Sequence, residues 1–372
     1  MQFKENRLVS LDAFRGLTIA AMILVNSPGT YSAVYAQLRH AEWNGWTFTD
    51  TIFPSFLFIM GVSIAFSLAA RRARGCTDLA IEKQILKRTV ILFTLGLFMN
   101  TYPIFHLSTL RYPGVLQRIA LCYLAASLIT LKLDSRYRAY SLVGLLASYW
   151  LLMRFYPVPG LGMGVLEPGS NFAAYVDSLL LSGHMWTHYE TWDPEGLVST
   201  LPAIATTLFG VLTGSWLRSD CSSGKKSIPM LVSGILLIFT GLVLSPLMPI
   251  NKNIWTSTFT IFMAGIALTG SALFYWIIDV KGYKRWAGVF VMFGMNSISL
   301  YFLSEIIDTS LRFIRLNLRD GTNRSIRAYI YRTFFAPYAS PETASLLFAI
   351  TFLVLMLVIA WWMWRKRIFI KV

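Results

Sequence analysis

The chain has 372 residues, 55% of them hydrophobic and 14% charged, with a mean hydropathy of +0.56. That balance excludes an ordinary soluble globular domain and predicts an all-α, polytopic membrane protein. The formal charge of +15, from 33 Lys and Arg against 18 Asp and Glu, reports topology in such a chain, and nucleic acid is not an expected partner.

The chain opens with a basic segment, Met1 to Arg7, and a first apolar run, Leu8 to Asn26. An apolar core at Leu17 to Val25 and small residues near Ser32 to Ala36 give it the outline of a secretory signal. Asp12 and Arg15 interrupt the run, however, and it is read as a retained first span. The connection that follows, Arg39-His40-Ala41-Glu42-Trp43-Asn44-Gly45-Trp46-Thr47-Phe48-Thr49-Asp50, gathers a histidine, two carboxylates, an asparagine and two tryptophans at the mouth of span two. One reading is chemistry at a bilayer surface. The plainer one is an interfacial loop with its tryptophans at headgroup depth. Span two, Thr51 to Ala70, is entered through Pro54, a residue suited to the first turn of a helix.

Eight further spans are predicted: Thr89 to Pro103, Gly114 to Leu131, Ala139 to Tyr156, Leu201 to Leu217, Ile228 to Leu247, Trp255 to Ile278, Trp286 to Ile306 and Glu342 to Trp364, all within a single transmembrane domain. Ten spans put both termini on one side. Lys and Arg concentrate in the connections on that side, so both termini are expected in the cytoplasm, with His40 and Asp50 beyond it. The exception is the loop Ile307 to Pro341, where Arg312, Arg315, Arg319, Arg324, Arg327 and Arg332 occur. There Leu311, Phe313, Ile314, Leu316 and Leu318 suggest a helix lying on the membrane surface. Cys76, Cys122 and Cys221 are too widely spaced for a metal knuckle, and neither a disulfide nor a structural metal is expected.

Polar residues inside apolar runs are costly unless they face protein or water. Arg15 with Asp12 and Asn26 lie on span one, Asn100 on span three, Gln117 and Arg118 on span four, and Asn296 in the middle of span nine. Hydrogen bonding between helices accounts for Asn100 and serves for Asn296. A cation in a span, as at Arg15 and Arg118, pairs with an acid or an anionic ligand.

Leu11-Asp12-Ala13-Phe14-Arg15-Gly16, Val25-Asn26, His40 to Gly45 with Asp50 and Phe53-Pro54, Pro113 to Arg118, Asp193 to Pro202 and Gly294 to Ile298 occur in an order that, with the span pattern, resembles the heparan-α-glucosaminide N-acetyltransferase family and its bacterial relatives. The resemblance covers nearly the whole chain, from about Arg7. It implies an acetyltransferase that takes acetyl-CoA from the cytoplasmic side and delivers acetyl to the amino group of a glucosamine on the other side. In a bacterial relative that membrane is the inner one. The family's active-site histidine falls on His40, its asparagine on Asn26 and its loop acid on Asp50. Trp43, Asn44, Asp193 and Glu195, in the shared loop motifs, become the expected acceptor-binding residues. Arg15, Gln117, Arg118 and Asn296 become those for CoA. The chain departs from the lysosomal enzyme in lacking its long lumenal N-terminal domain and in a longer Asn26-to-His40 stretch with Pro28. The expected partners are therefore an aminosugar or glycan acceptor and membrane lipid, with a homodimer left open.

The residue chemistry agrees. Acyl transfer to an amine needs a base near neutral pH, which histidine supplies, as base or as acyl carrier. Asp50 can hold the imidazole in one tautomer, Asn26 can donate to a developing oxyanion, and Arg15 and Arg118 offer forks for phosphate. No glycine-rich phosphate loop is present. His184 and His188, four apart, would share a helix face and could bind metal, but the glutamate of a zinc-hydrolase motif is missing and a structural or substrate-lining role is preferred. Trp186, Tyr189 and Trp192 fit a sugar platform or an aromatic belt equally. The rival reading is an aminosugar transporter, against which stands the lack of an internal repeat. A membrane subunit without chemistry is a third.

Overall fold

The structure, a computed structural model, describes residues 8–189, 191–317 and 322–370. The basic start Met1 to Arg7, Leu318 and Arg319 of the arginine-rich loop, and Lys371 of the tail lie outside them. Each predicted apolar run is helical: α1 (Val9–Asn26), α2 (Phe48–Ala73), α3 (Asp78–Thr101), α4 (Val115–Lys132), α5 (Ser135–Phe155), α7 (Thr200–Leu217), α8 (Ser223–Leu244), α9 (Ser257–Phe274), the pair α10 (Gly288–Met295) and α11 (Ser297–Phe313), and α13 (Pro341–Arg365). A short helix, α6 (Phe172–Leu181), lies in the long loop before α7. The protein is an all-α polytopic membrane protein. Seven of the described helices are long and apolar enough to cross a membrane, and α10 with α11 makes an eighth if counted as one bent span. α3 and α5 have the length, at 24 and 21 residues, but each is more polar; the first turns of α3 carry Asp78, Glu82, Lys83, Lys87 and Arg88.

α2 is the axis of the molecule, packed against α1, α4, α7 and α9. Its closest neighbour is α7, admitted by small residues: a Cβ on Gly61 would lie 1.9 Å from the Thr207 carbonyl oxygen, and one on Gly210 would lie 1.9 Å from that of Phe58. Without a strong hydrophobic drive between helices in lipid, such close backbone contact is what holds a bundle together. Ile19, Ile23, Leu57, Ile119, Leu208, Trp255 and Phe259 fill the centre, and the Trp255 indole N–H donates to Thr206 Oγ1 at 3.2 Å.

Three local readings change. Pro54 stands inside α2 rather than in its first turn, because a capping box at Thr47 and Asp50 starts the helix at Phe48. Span nine is broken: α10 and α11 meet at 81° at Asn296. Its amide donates to the Ile368 carbonyl at 3.0 Å and its oxygen accepts the Ile370 N–H at 2.9 Å, so a mid-span polar residue serves to bind the C-terminal tail across the break. The stretch after Phe313 is not a surface helix; Arg315–Asn317 pairs antiparallel with Asn323–Ser325 as a hairpin, and the helix, α12 (Ile326–Phe334), comes after it. Arg327 of α12 is buried against Asp308 at 2.8 Å and donates to the Pro28 carbonyl.

Candidate active site

The residue that completes the capping box of α2 and the predicted histidine partner are the same side chain. Asp50 is 1% exposed. Its Oδ2 accepts the Thr47 and Ala41 backbone N–H groups, each at 3.0 Å, and its Oδ1 lies 2.6 Å from His40 Nδ1. A carboxylate held by backbone donors can only accept, so Nδ1 carries the proton and Nε2 is left as the basic nitrogen. Helix initiation therefore fixes the imidazole.

The loop bearing His40 is tied to the loop between α8 and α9. Gly45, with φ of +98°, makes the turn that brings its N–H 2.8 Å from the Ile250 carbonyl. Asn251 donates to Asn44 Oδ1 at 3.2 Å and Asn253 to the Glu42 carbonyl at 3.3 Å. A third segment is ordered by charge. Arg111 forks onto both oxygens of Asp193, at 2.7 and 2.6 Å, and reaches Glu195 at 2.6 Å, while Asn100 pins the Arg111 and Pro113 carbonyls at 2.8 Å.

These segments enclose a chamber of about 310 Å³ lined by His40, Asn26, Arg111, Trp186, Glu195, Lys252, Tyr301 and Glu305 over an apolar floor of Met22, Val25, Ile52 and Phe53. Asn26 donates to Glu305 at 2.9 Å. The positive field of Lys252 and partial burial lower the His40 pKa, and the opposing bond and charge of Asp50 do not restore it. Burial would raise Glu195, but Arg111, Lys252 and Arg118 hold it below its ordinary value. Arg111 is likewise raised by its acids against the pull of burial.

A second cavity system opens at the other end of α2. Arg15, Phe56, Met60, Ser63, Ser67, Arg88, Tyr123 and Ser127 line one part, of about 190 Å³, and Arg71, Arg74 and Lys87 join Arg15 and Arg88 around a wider mouth of about 560 Å³. Arg15 bonds Asp12 at 3.2 Å and Ser63 at 2.5 Å. On α2, Asp50 and Ser67 are separated by about 25 Å of helix rise. Phe53 of the first chamber and Phe56 of the second are within one turn of each other.

A family model for the catalytic region of heparan-alpha-glucosaminide N-acetyltransferase matches residues 7–242, which include both cavities' α1, α2 and α4 walls. The chain belongs to this family. It is 31% identical to heparan-alpha-glucosaminide N-acetyltransferase of Mus musculus over 363 residues, covering 83% of this chain and 55% of that one. With the Homo sapiens protein of the same name it shares 29% identity over 423 residues, 98% of this chain and 60% of the relative. It thus spans somewhat over half the length of these curated relatives.

Of the residues the family resemblance singles out, the structure brings His40, Asn26, Asp50 and Glu195 together, and places Arg15 in the second cavity. Gln117 lines a side chamber of about 170 Å³ that shares Arg111, Val115, Tyr301 and Glu305 with the first. The others are engaged elsewhere in the structure. Arg118 is 1% exposed and donates to the Gly196 carbonyl, at 3.1 Å, and to Ser199, lying over Trp255; it lines none of these cavities and holds the 193–200 segment instead. Asn296 is taken up by the tail. Asp193 is consumed by Arg111, Trp43 by the Leu166 carbonyl and the Trp192 ring, and Asn44 by Asn251. His184 and His188 do not share a helix face, because the segment is a series of turns; His184 stacks on Tyr112 with ring centres 4.1 Å apart. Arg111, Lys252 and Glu305 were missed. Lys252 alone carried a signal, as a cation between two asparagines in a short loop between apolar runs.

Proposed function

We propose that the protein is an acetyltransferase that moves an acetyl group from acetyl-CoA, bound at the Arg15 cavity, to the amino group of a glucosamine-type sugar in the His40 chamber. The observation that carries this reading is the placement, towards the two ends of α2, of a histidine held by a buried carboxylate and of a cluster of cations drawn from α1, α2 and α3. The cation cluster suits the donor. Arg71 Nη1 and Arg88 Nε are buried without a hydrogen-bond partner beside the wide mouth, and guanidinium donors of that kind match phosphate oxygens. Acetyl-CoA, when bound, supplies a thioester carbonyl with a thiolate leaving group. His40 Nε2 takes the proton that the attacking amine releases as its nitrogen bonds the acyl carbon, and Asp50 stabilises the imidazolium so formed. Asn26 turns its amide into the same chamber, and Trp186 offers an apolar face for a sugar ring. The His40 chamber faces away from the cytoplasm in this reading, and the basic mouth faces it, as expected for an inner-membrane enzyme with both termini inside.

The test is purified protein in detergent with acetyl-CoA and a panel of aminosugars, with products read by mass spectrometry. Parent protein should yield N-acetylated sugar and free CoA in equal amounts. His40→Ala should bind acetyl-CoA and lose transfer by roughly 100- to 10,000-fold. Transfer by His40→Ala at the parent rate, or no product from any aminosugar, would sink the assignment.

A further inference from the structure

The geometry points to Lys252 as a positioning residue of this site that acts through His40: its loop is latched to the His40 loop and its side chain lines the same chamber as the imidazole. The inference rests on the reading of His40 as the base. Three hydrogen bonds make the latch: Gly45 N–H to the Ile250 carbonyl, Asn251 to Asn44, and Asn253 to the Glu42 carbonyl. They fall on both sides of Lys252 and at Glu42, Asn44 and Gly45 on the His40 loop, so the two loops are tied together. Asn251 is fully buried, and it also accepts the Ile254 N–H at 3.1 Å, which sets the turn that presents Lys252 to the chamber. The Lys252 side chain contributes nothing to the latch and lines the chamber beside His40.

The charges facing His40 come from every wall. Asp50 at the start of α2 is bonded to it; Glu195 and Arg111 come from the ion-paired segment before α7 and the α3–α4 connection, Glu305 from α11, and Lys252 from the α8–α9 loop. Asp50 and Glu195 favour imidazolium, and a base paired with a buried carboxylate would by that pairing alone tend to be charged and useless near neutral pH. Lys252 provides the largest opposing effect, ahead of burial. One carboxylate is thus free to orient the ring because one cation cancels its effect on the proton.

The protonation of His40 can be read without any acetyl donor. The full-length protein, labelled at histidine Cε1 with carbon-13 and held in detergent micelles, is titrated by NMR; the His40 signal is assigned by its loss in His40→Gln. Lys252→Met keeps the stem and the latch and should move the His40 midpoint to higher pH, leaving His106, His184 and His188 in place. Lys252→Arg should return it towards the parent. In the transfer assay the acid limb of the rate profile should follow the same order. A midpoint that is unmoved in Lys252→Met, or moved equally in Lys252→Met and Lys252→Arg, overturns the proposal. If the midpoint moves as stated while no aminosugar is acetylated, the inference on Lys252 stands and the acetyltransferase reading fails.

Discussion

At the scale of single residues, Asp50 carries two duties that normally fall to different side chains: it caps α2 and orients His40. Asp50→Asn keeps the size and one acceptor but presents a donor where the ring needs an acceptor. It should lower transfer by on the order of 100-fold, less than His40→Ala, with acetyl-CoA affinity unchanged, as measured by steady-state kinetics beside direct CoA binding. Asp177 of α6 gives a second prediction. It accepts the Asp193 and Leu197 N–H groups at 3.3 and 3.0 Å, and burial, stronger than those bonds, pushes its pKa up to about 6. A carboxyl whose folded pKa lies above its unfolded value of 3.8 favours the fold most at low pH, and that contribution is lost as pH rises through about 6. Asp177→Asn, which cannot ionise, should therefore gain on the parent by up to about 1.4 kcal/mol per pH unit between pH 4 and 6 and by no more above it. Chemical unfolding across that range checks the slope; a difference independent of pH would show that Asp177 is not buried in its charged form. The histidine, its acid and its asparagine were legible in the sequence because polar residues flanking apolar runs stand out. Arg111 and Glu305 were not, since what makes them part of the site is a fold that brings residues 26, 111 and 305 to one wall.

At the scale of elements, α2 and α7 set the site's frame through the Gly61 and Gly210 contact. A methyl group at either position meets a backbone carbonyl, which cannot rotate away as a side chain can. Gly61→Ala should lower stability by about 1 to 3 kcal/mol, read as thermal unfolding in detergent, and should reduce activity through misplacement of Asp50 rather than through loss of any contact to substrate. An unchanged unfolding temperature would mean that the helices part without cost. Helix positions followed from hydrophobic runs, and the start of α2 did not, because Pro54 drew attention away from the cap formed by Thr47 and Asp50, seven and four residues earlier. The break at Asn296 was equally hidden. An apolar run with a single asparagine at its middle reads as one straight span, and the partner of Asn296 at the 81° turn is the C-terminal tail, more than 70 residues on in the chain.

At the scale of the whole molecule, the two cavities stand at opposite ends of a helix 26 residues long, enough to cross the hydrocarbon core of a bilayer of about 30 Å. Phe53 lines the first and Phe56 the second, one turn apart on α2. The basic connections predict which end faces the cytoplasm. A cysteine at Ala41, in a chain freed of Cys76, Cys122 and Cys221, should react with a membrane-impermeant thiol reagent in intact cells. Reaction only after permeabilisation would reverse the orientation and leave transfer across the bilayer without support. The most direct measurement uses sealed proteoliposomes loaded with acetyl-CoA carrying carbon-13 in the acetyl group, with glucosamine supplied outside only. The account predicts labelled N-acetylglucosamine in the external medium and free CoA retained inside, in equal amounts, and neither in vesicles bearing His40→Ala. Labelled product found inside the vesicles, or external glucosamine imported without acetylation, would contradict it.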